Sequence, residues 1–431
     1  KLIRDHFKVA HTDGLGLHDL SQAVTAAGAM LAYLYETQKN DLSNITHIGI
    51  LNTAGCMLID SSTRRNLELT HTLREKEKRG SLIWILDKTR TAMGARMLRR
   101  FLEQPLIEKK AIEARLDAVS ELSERIMDRD EIREYLGTVY DIERLMGRVA
   151  FGTANPRDMI ALKSSLSMLA PIKDLTAGFK ASLMKKLSDD IDSLNDMHEL
   201  IERAICDEPP VSVHDGGVIK EGYSADADEL RRIKMNANEW LMELESRTKD
   251  RTGIKNLRIR YNKVFGYYFE VTNSYLSLVP DDFIRKQTLT GGERYTTSEL
   301  QEMEDKMLNS EERLTALERA LFTEVRDRLA DNISRMQETA KAIAYIDVLC
   351  SLSYVAEHDR FVRPKINTKG LIDIHGGRHP VVEKMTGTDM FIPNDTLLDN
   401  NKKLISIITG PNMAGKSTYM RQVALITLMT Q

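Results

Sequence analysis

Cysteine is scarce: Cys56, Cys206 and Cys350 are the only three in 431 residues. They are isolated and odd in number, which argues against a disulfide framework or a zinc cluster and makes a reducing, cytoplasmic setting the expectation. Glycine (24) and proline (10) are also few, which points to long helices rather than a many-turned sheet protein. No run approaches the roughly 18 apolar residues of a membrane span, so no membrane insertion is expected. The ten histidines show no ligand spacing, so they give no reason to expect a metal. No sign of charge dominates either: 61 basic residues meet 64 acidic ones, a net of −3. The chain as a whole is therefore not a basic nucleic-acid binder, but local basic patches stay open. It starts Lys1-Leu2-Ile3, without Met or a leader pattern, and stops at Gln431 inside helix-like sequence. Both ends are expected to be cut from something longer.

What is present suggests roughly three domains at this length. Residues 1–50 read as helix-rich, 48–59 as β-like, and 64–205 as a series of helices broken at Gln104-Pro105 and Asn155-Pro156. Two breaker-free stretches follow, 223–252 and 293–363. In the first, Leu230, Ile233, Ala237, Trp240, Leu241 and Leu244 share a helical face. In the second, Leu300, Met303, Met307, Leu314, Leu317 and Leu321 keep a near-heptad register that re-phases near Asp331-Asn332, where a break is expected. Between them, 257–261 and 267–271 flank a turn at 262–266, and 283–289 and 293–297 flank a turn at 290–292. The pattern predicts a small sheet inserted between two antiparallel helical arms. After Pro364, a Gly376-Gly377 turn leads to Leu404-Ile405-Ser406-Ile407-Ile408-Thr409, which reads as a buried strand of an α/β domain.

The sharpest chemical signal comes next. Gly410-Pro411-Asn412-Met413-Ala414-Gly415-Lys416-Ser417 fits the phosphate-binding loop pattern, with a strand-like segment before it and an amphipathic one, 418–429, after it. Glycines let backbone N–H groups turn toward phosphates, and the helix start adds partial positive charge. Lys416 suits the β- and γ-phosphates, and Ser417 suits Mg²⁺. A second candidate is the inserted sheet, where Arg258, Arg260, Lys263, Arg285, Lys286 and Arg294 flank the two turns with Gln287, Thr288 and Thr290. Such a cluster suits phosphate gripping without base readout, although an ordinary solvated hairpin surface has the same composition. The acidic pairs Glu302/Asp305 and Glu311/Glu312 read as a solvated helix face, and Trp84 and Trp240 as core.

Residues 407–422, from Ile407 through the Asn412-Met413 pair to Gln422, closely resemble the phosphate-loop block of MutS-type mismatch-repair ATPases. Other blocks agree in order: Thr63-Arg64-Arg65-Asn66-Leu67-Glu68-Leu69, residues 86–98, residues 260–268 with Arg285-Lys286-Gln287-Thr288-Leu289, and Gly377-Arg378-His379-Pro380-Val381-Val382. The resemblance implies a mainly α fold, a long-helix lever with coiled-coil-like arms, with an inserted small β clamp and the start of an α/β P-loop ATPase domain. It implies the end of a connector over 1–50, lever over 51–230 and 299–362, clamp over 231–298 and ATPase over 363–431. It further implies a dimer on mismatched double-stranded DNA, ATP and Mg²⁺ as cofactors, and a MutL-type partner. ATP contacts fall to Gly410, Pro411, Asn412, Met413, Ala414, Gly415, Lys416, Ser417 and Thr418, with Phe391 and Ile392 beside the adenine and Ser417 on the metal. DNA contacts fall to Arg260, Asn262, Lys263, Lys286, Gln287, Thr290 and Arg294.

The family's mismatch-reading Phe-x-Glu wedge and the hydrolytic residues beyond the phosphate loop do not occur in these residues. The chain alone is therefore expected not to turn over ATP. A relative specialised for branched DNA, and a coiled-coil ATPase of the chromosome-organising type, are the competing readings. In the latter the phosphate loop precedes the coil, whereas here it follows.

Overall fold

Breaker-free stretches become helices whose ends carry their own stop signals. A computed structural model describes residues 1–9, 17, 20–38, 42, 45, 48, 55–262, 266–386, 391–412 and 414–431. In chain order the helices are α1 (Leu2–Phe7), α2 (Ser21–Gln38), α3 (Ser61–Asn66), α4 (Leu82–Leu86), α5 (Ala92–Glu103), α6 (Lys109–Glu124), α7 (Ile126–Thr138), α8 (Ile142–Ala150), α9 (Pro156–Leu166), α10 (Leu169–Ala177), α11 (Ser182–Asp189), α12 (Asn195–Ala204) and α13 (Ala225–Thr252). The strands β1 (Arg258–Asn262), β2 (Gly266–Thr272), β3 (Ile284–Leu289) and β4 (Gly292–Thr296) follow. Then come α14 (Ser298–Ala330), α15 (Ile333–His358), β5 (Leu371–Gly377), α16 (Pro380–Thr386), β6 (Asn394–Asp399) and α17 (Lys416–Met429). The molecule is mostly helical with a small antiparallel sheet.

The chain divides into two compact units, 1–151 with 164–194 and 332–431, and 152–163 with 195–331. In the first, α15 is the spine. Ala342, Ile343, Ala344, Ile346, Val348 and Leu349 are all buried on it. Its length and mean hydropathy would suit a membrane span, but 72% of that apolar window is covered by the protein itself. Leu69, Leu82, Ile83, Leu86, Leu98 and Leu102 pack with Val348 and Val355, and Leu425 and Leu428 of α17 join the same core. Trp84 packs at its margin, as its core reading expects.

In the second unit α13 and α14 lie side by side and carry the sheet between them. Ser224 caps α13 by accepting from Ala227 N–H at 3.4 Å, Asp226 and Asp228 sit in its first turn, and Gly253 ends it at φ +71°. Thr297 likewise accepts from Leu300 N–H at 3.2 Å to start α14. Leu241, Leu244, Leu300 and Met307 pack with Phe269, Val271, Phe283 and Tyr295 beneath the sheet. Ile233 departs from the expected stripe, being 40% exposed, and the side chain of Ala237 lies outside the described residues. Glu318, wholly buried on α14, accepts from Gly217 N–H (2.6 Å) and from Arg231 Nη2 (2.6 Å), so a charged pair pins α13 against α14.

The arms and hairpins match their expectation, including the break: α14 ends at Ala330 and α15 begins at Ile333. Other expectations need correction. Residues 404–409 form no strand and are exposed, Ile405 and Ile407 by 85% and 87%. An apolar run becomes a buried strand only where other strands and covering helices receive it, and no described strand pairs with this one. The α/β character expected after 363 is so far a two-stranded antiparallel ribbon, β5–β6, with α16 and α17. Gly376-Gly377 is no turn: it closes β5 at a break in register between Ile374 and Gly377. Half of the β-like stretch 48–59 lies outside the described residues, and within them only Cys56 bridges, to Leu106.

Candidate nucleotide and nucleic-acid sites

Residues 410–417 turn into α17 through Gly415, whose φ of +86° is strained for any residue with a Cβ. The first N–H groups of a helix have no intrahelical acceptor, so this turn presents donors and partial positive charge to an anion. Lys416 curls across the loop, donating from Nζ to the carbonyl oxygens of Gly410 and, at 2.6 Å, of Pro411. Both acceptors are neutral, and among the described residues no carboxylate pairs with the ammonium. Pro411, Asn412, Ala414 and Ser417 are exposed and Thr418 is half-buried, while Met413 lies outside the described residues. Phe391 is half-buried and Ile392 is 82% exposed. Gly410, Gly415, Lys416 and Ser417 are thus the described residues that could hold a phosphate chain, and the exposed Ser417 is the one that could meet a hard cation.

The sheet runs β1-β2-β4-β3, all antiparallel. Cross-strand partners share a face, and the register pairs Arg258 with Glu270, Glu270 with Arg294, and Arg294 with Gln287. Arg258, Arg260, Asn262, Gln287 and Arg294 thus stand on one polar face, opposite the buried Phe269 and Val271. Arg258 and Arg260 are exposed there, Arg260 lying 3.4 Å from Glu270. Arg294 is half-buried: its guanidinium lies 4.4 Å from the Tyr268 ring centre and donates to Gln287 Oε1 at 2.7 Å. That stacking makes Arg294 and Gln287 part of the platform on which the exposed arginines stand.

The remaining expected residues separate from that face. Lys286 Nζ lies 3.8 Å from Glu304 of α14. Thr290 is exposed on the β3–β4 turn, and its carbonyl accepts from Asn273 Nδ2. The pairings Asn262 with Gly266 and Thr272 with Gly292 put the two hairpin turns at opposite ends of β2. The expected single cluster around both turns is therefore replaced by one face. Lys263 lies outside the described residues. Sequence reasoning missed Tyr268 as the support under Arg294, and Glu304, whose carboxylate accepts from Tyr267 N–H at 3.1 Å beside the left-handed Gly266. The Tyr268–Arg294 contact follows from strand alternation once the register is known; nothing local marks Glu304.

Comparison with known proteins decides the family. The model for MutS domain III matches residues 62–353, and that for MutS domain V matches residues 406–431. The chain belongs to the MutS family. It is 60% identical over 431 residues to the DNA mismatch repair protein MutS of Lachnoclostridium phytofermentans and 50% identical over 431 residues to that of Acetivibrio thermocellus. All of this chain aligns in both cases, against 46% and 49% of those proteins. The chain spans about half the length of the curated relatives it matches.

The MutS-like block at 377–382 turns out to be a joint. Arg378 donates to Glu383 at 2.7 Å and to the carbonyl oxygens of Asp359 (3.0 Å) and Arg360 (2.9 Å), tying α16 to the end of α15. His379 is buried, and its Nδ1 accepts from Val382 N–H at 3.2 Å, capping α16. Burial, and then the nearby Arg421 charge, push its pKa from 6.5 to about 4. The sign follows: below 6.5 the unfolded chain takes a proton that the folded one refuses until about 4. Stability is therefore whole above pH 6.5 and falls by about 3 kcal/mol as pH drops to 4. Urea midpoints at pH 7.5 and 4.5 check this; His379→Asn, which can still cap the helix, should flatten the fall, and an unchanged fall contradicts the assignment.

Proposed function

We propose that this chain is the lever, clamp and phosphate-loop portion of a DNA mismatch-repair ATPase that holds mispaired duplex DNA as a dimer under ATP control. Residues 1–50 are the end of the connector, 51–230 and 299–362 the lever, 231–298 the clamp and 363–431 the start of the ATPase. The observation that carries this reading is the pairing, in one MutS chain, of an arginine-bearing sheet face with a lysine-closed phosphate loop. Arg258 and Arg260 supply charge to the DNA backbone, with Asn262 and Gln287 as neutral donors and Arg294 stacked on Tyr268 as support. Contacts of this kind set grip and register and leave base identity to other groups.

When bound, ATP with Mg²⁺ supplies the free energy and charge that reset the grip. The chain's own part is to receive phosphates on the N–H groups that open α17, neutralise them with Lys416, and offer the Ser417 hydroxyl to the metal. Phe391 and Ile392 provide apolar surface for the base. The protein works in the cytoplasm with a MutL-type partner.

Duplex binding by the full-length protein tests this. A mispaired duplex should bind more tightly than a matched one, and ATP should shorten its residence. Lys416→Ala should abolish the ATP effect while leaving nucleotide-free binding within about twofold. Equal affinity for both duplexes, or an ATP effect that survives Lys416→Ala, overturns the reading.

A further inference from the structure

The helix that carries the phosphate loop contains an unexplained buried group. Gln422, on the second turn of α17, has no exposed surface, and among the described residues neither its Nε2 nor its Oε1 has a hydrogen-bond partner. Buried amides are almost always bonded, because water that once satisfied them has been removed. Here both ends of one amide are unmet in the same side chain.

Its surroundings define what it could meet. The amide faces the end of β5: a Cβ placed on Gly377 would lie 2.8 Å from Gln422 Nε2 and 3.0 Å from the Asn394 carbonyl oxygen of β6. A side chain there would press on the tip of Gln422 and on the Asn394 carbonyl oxygen together. That spot is also where the β5–β6 register breaks, between Ile374 and Gly377. Gln422 therefore sits against a ribbon whose ladder is interrupted beside it. The same helix holds the ribbon through Tyr419, whose Oη shares a hydrogen bond with Thr396 Oγ1 at 2.8 Å and donates to the Asp395 carbonyl oxygen at 3.3 Å. On its other side Arg421 reaches Glu68 at 3.7 Å, within the MutS-like block 63–69. Lys416, at the start of this helix, is held by carbonyl oxygens of its own loop.

We propose that Gln422 is a positioning residue for nucleotide: its amide is unpaired while Lys416 is held by the loop carbonyls, and pairs with the β5–β6 ribbon when phosphates draw Lys416 and α17 forward. The inference rests on the nucleotide reading above and deepens it. An amide bonded only in the nucleotide state favours that state by the bonds it gains. Removing it relieves the free protein and weakens nucleotide binding together, an inversion that a purely structural glutamine does not produce.

Gln422→Met keeps the length and volume of the side chain and deletes the amide. In the full-length protein, the nucleotide-free melting temperature should hold or rise, and ATP with Mg²⁺ should bind roughly tenfold more weakly, as expected for losing one or two net hydrogen bonds. A lower nucleotide-free melting temperature, including outright failure to fold, shows that the amide is already bonded and overturns the proposal. Unchanged ATP affinity overturns it too. If the unaltered protein shows no ATP binding, the nucleotide reading falls first and this inference with it. Normal ATP binding by both proteins removes only the role of Gln422.

Discussion

Asp347→Ala is expected to cost the full-length protein about 3–5 kcal/mol of folding stability, a large part of a typical domain's total. Asp347 is wholly buried in the middle of α15. Its carboxylate accepts from Arg90 N–H (2.9 Å), Thr91 N–H (2.8 Å) and the Thr91 hydroxyl (2.8 Å). One helical turn on, Ser351 accepts from Lys88 N–H and donates to the Leu86 carbonyl oxygen, both at 2.8 Å. Two side chains of the spine thus hold the loop between α4 and α5. Gly94 permits the approach, since a Cβ there would fall 2.2 Å from Asp347 Oδ2. Burial raises the pKa of Asp347, against the pull of these donors. Arg133, also buried, has an Nη1 without a hydrogen-bond partner among the described residues, and burial with the nearby Arg90 lowers its pKa. Truncating Asp347 strands three donors and removes the carboxylate whose charge favours the Arg133 guanidinium. Urea denaturation measures the loss; a change below about 1 kcal/mol would mean that packing by Leu86, Met93 and Leu98 holds the loop unaided.

The second large effect concerns DNA. Reversing Arg258 and Arg260 to Glu should weaken binding roughly 100-fold at moderate salt and lower the slope of log affinity against log salt by about two. The fall should be equal for matched and mispaired duplexes, because phosphate contacts carry no sequence information. Reversal also sets two new carboxylates beside Glu270, so Arg258→Gln with Arg260→Gln, which keeps both exposed side chains polar, is the control that should melt like the parent and still weaken binding. Arg294 is a poorer choice for such a test. Removing it from the Tyr268 ring and Gln287 would disturb the sheet itself, so a loss of DNA binding would not separate grip from support. A reversal that spared DNA affinity would move the grip away from this face.

These two cases show what was legible in the sequence. The arms were, because Gly and Pro are absent from them and Gly253, Ser224 and Thr297 mark their ends. So was the break at Asp331-Asn332, where the apolar stripe changes phase and no single face can stay buried. The hairpins were legible from their turn residues. Residues 404–409 were misread, since a strand depends on neighbours that no local pattern encodes. Within the candidate sites, the 410–417 pattern is contiguous in sequence, and Arg260, Asn262, Gln287 and Arg294 do share a face. Which of them are free to touch a ligand depends on Tyr268, diagonal to Arg294 across β2 and β4, and the turn of Lys286 toward Glu304 depends on a helix outside the sheet. Asp347, Gln422 and Glu318 escaped for the same reason. Each serves groups that lie far from it in sequence.

The most direct measurement is the lifetime of the full-length protein on a duplex with one mispair and on its matched counterpart, each with and without ATP. The account predicts a longer lifetime on the mispaired duplex without nucleotide, shortened by ATP in the parent and unaffected by ATP in Lys416→Ala. Equal lifetimes on the two duplexes, or indifference of the parent to ATP, would contradict it.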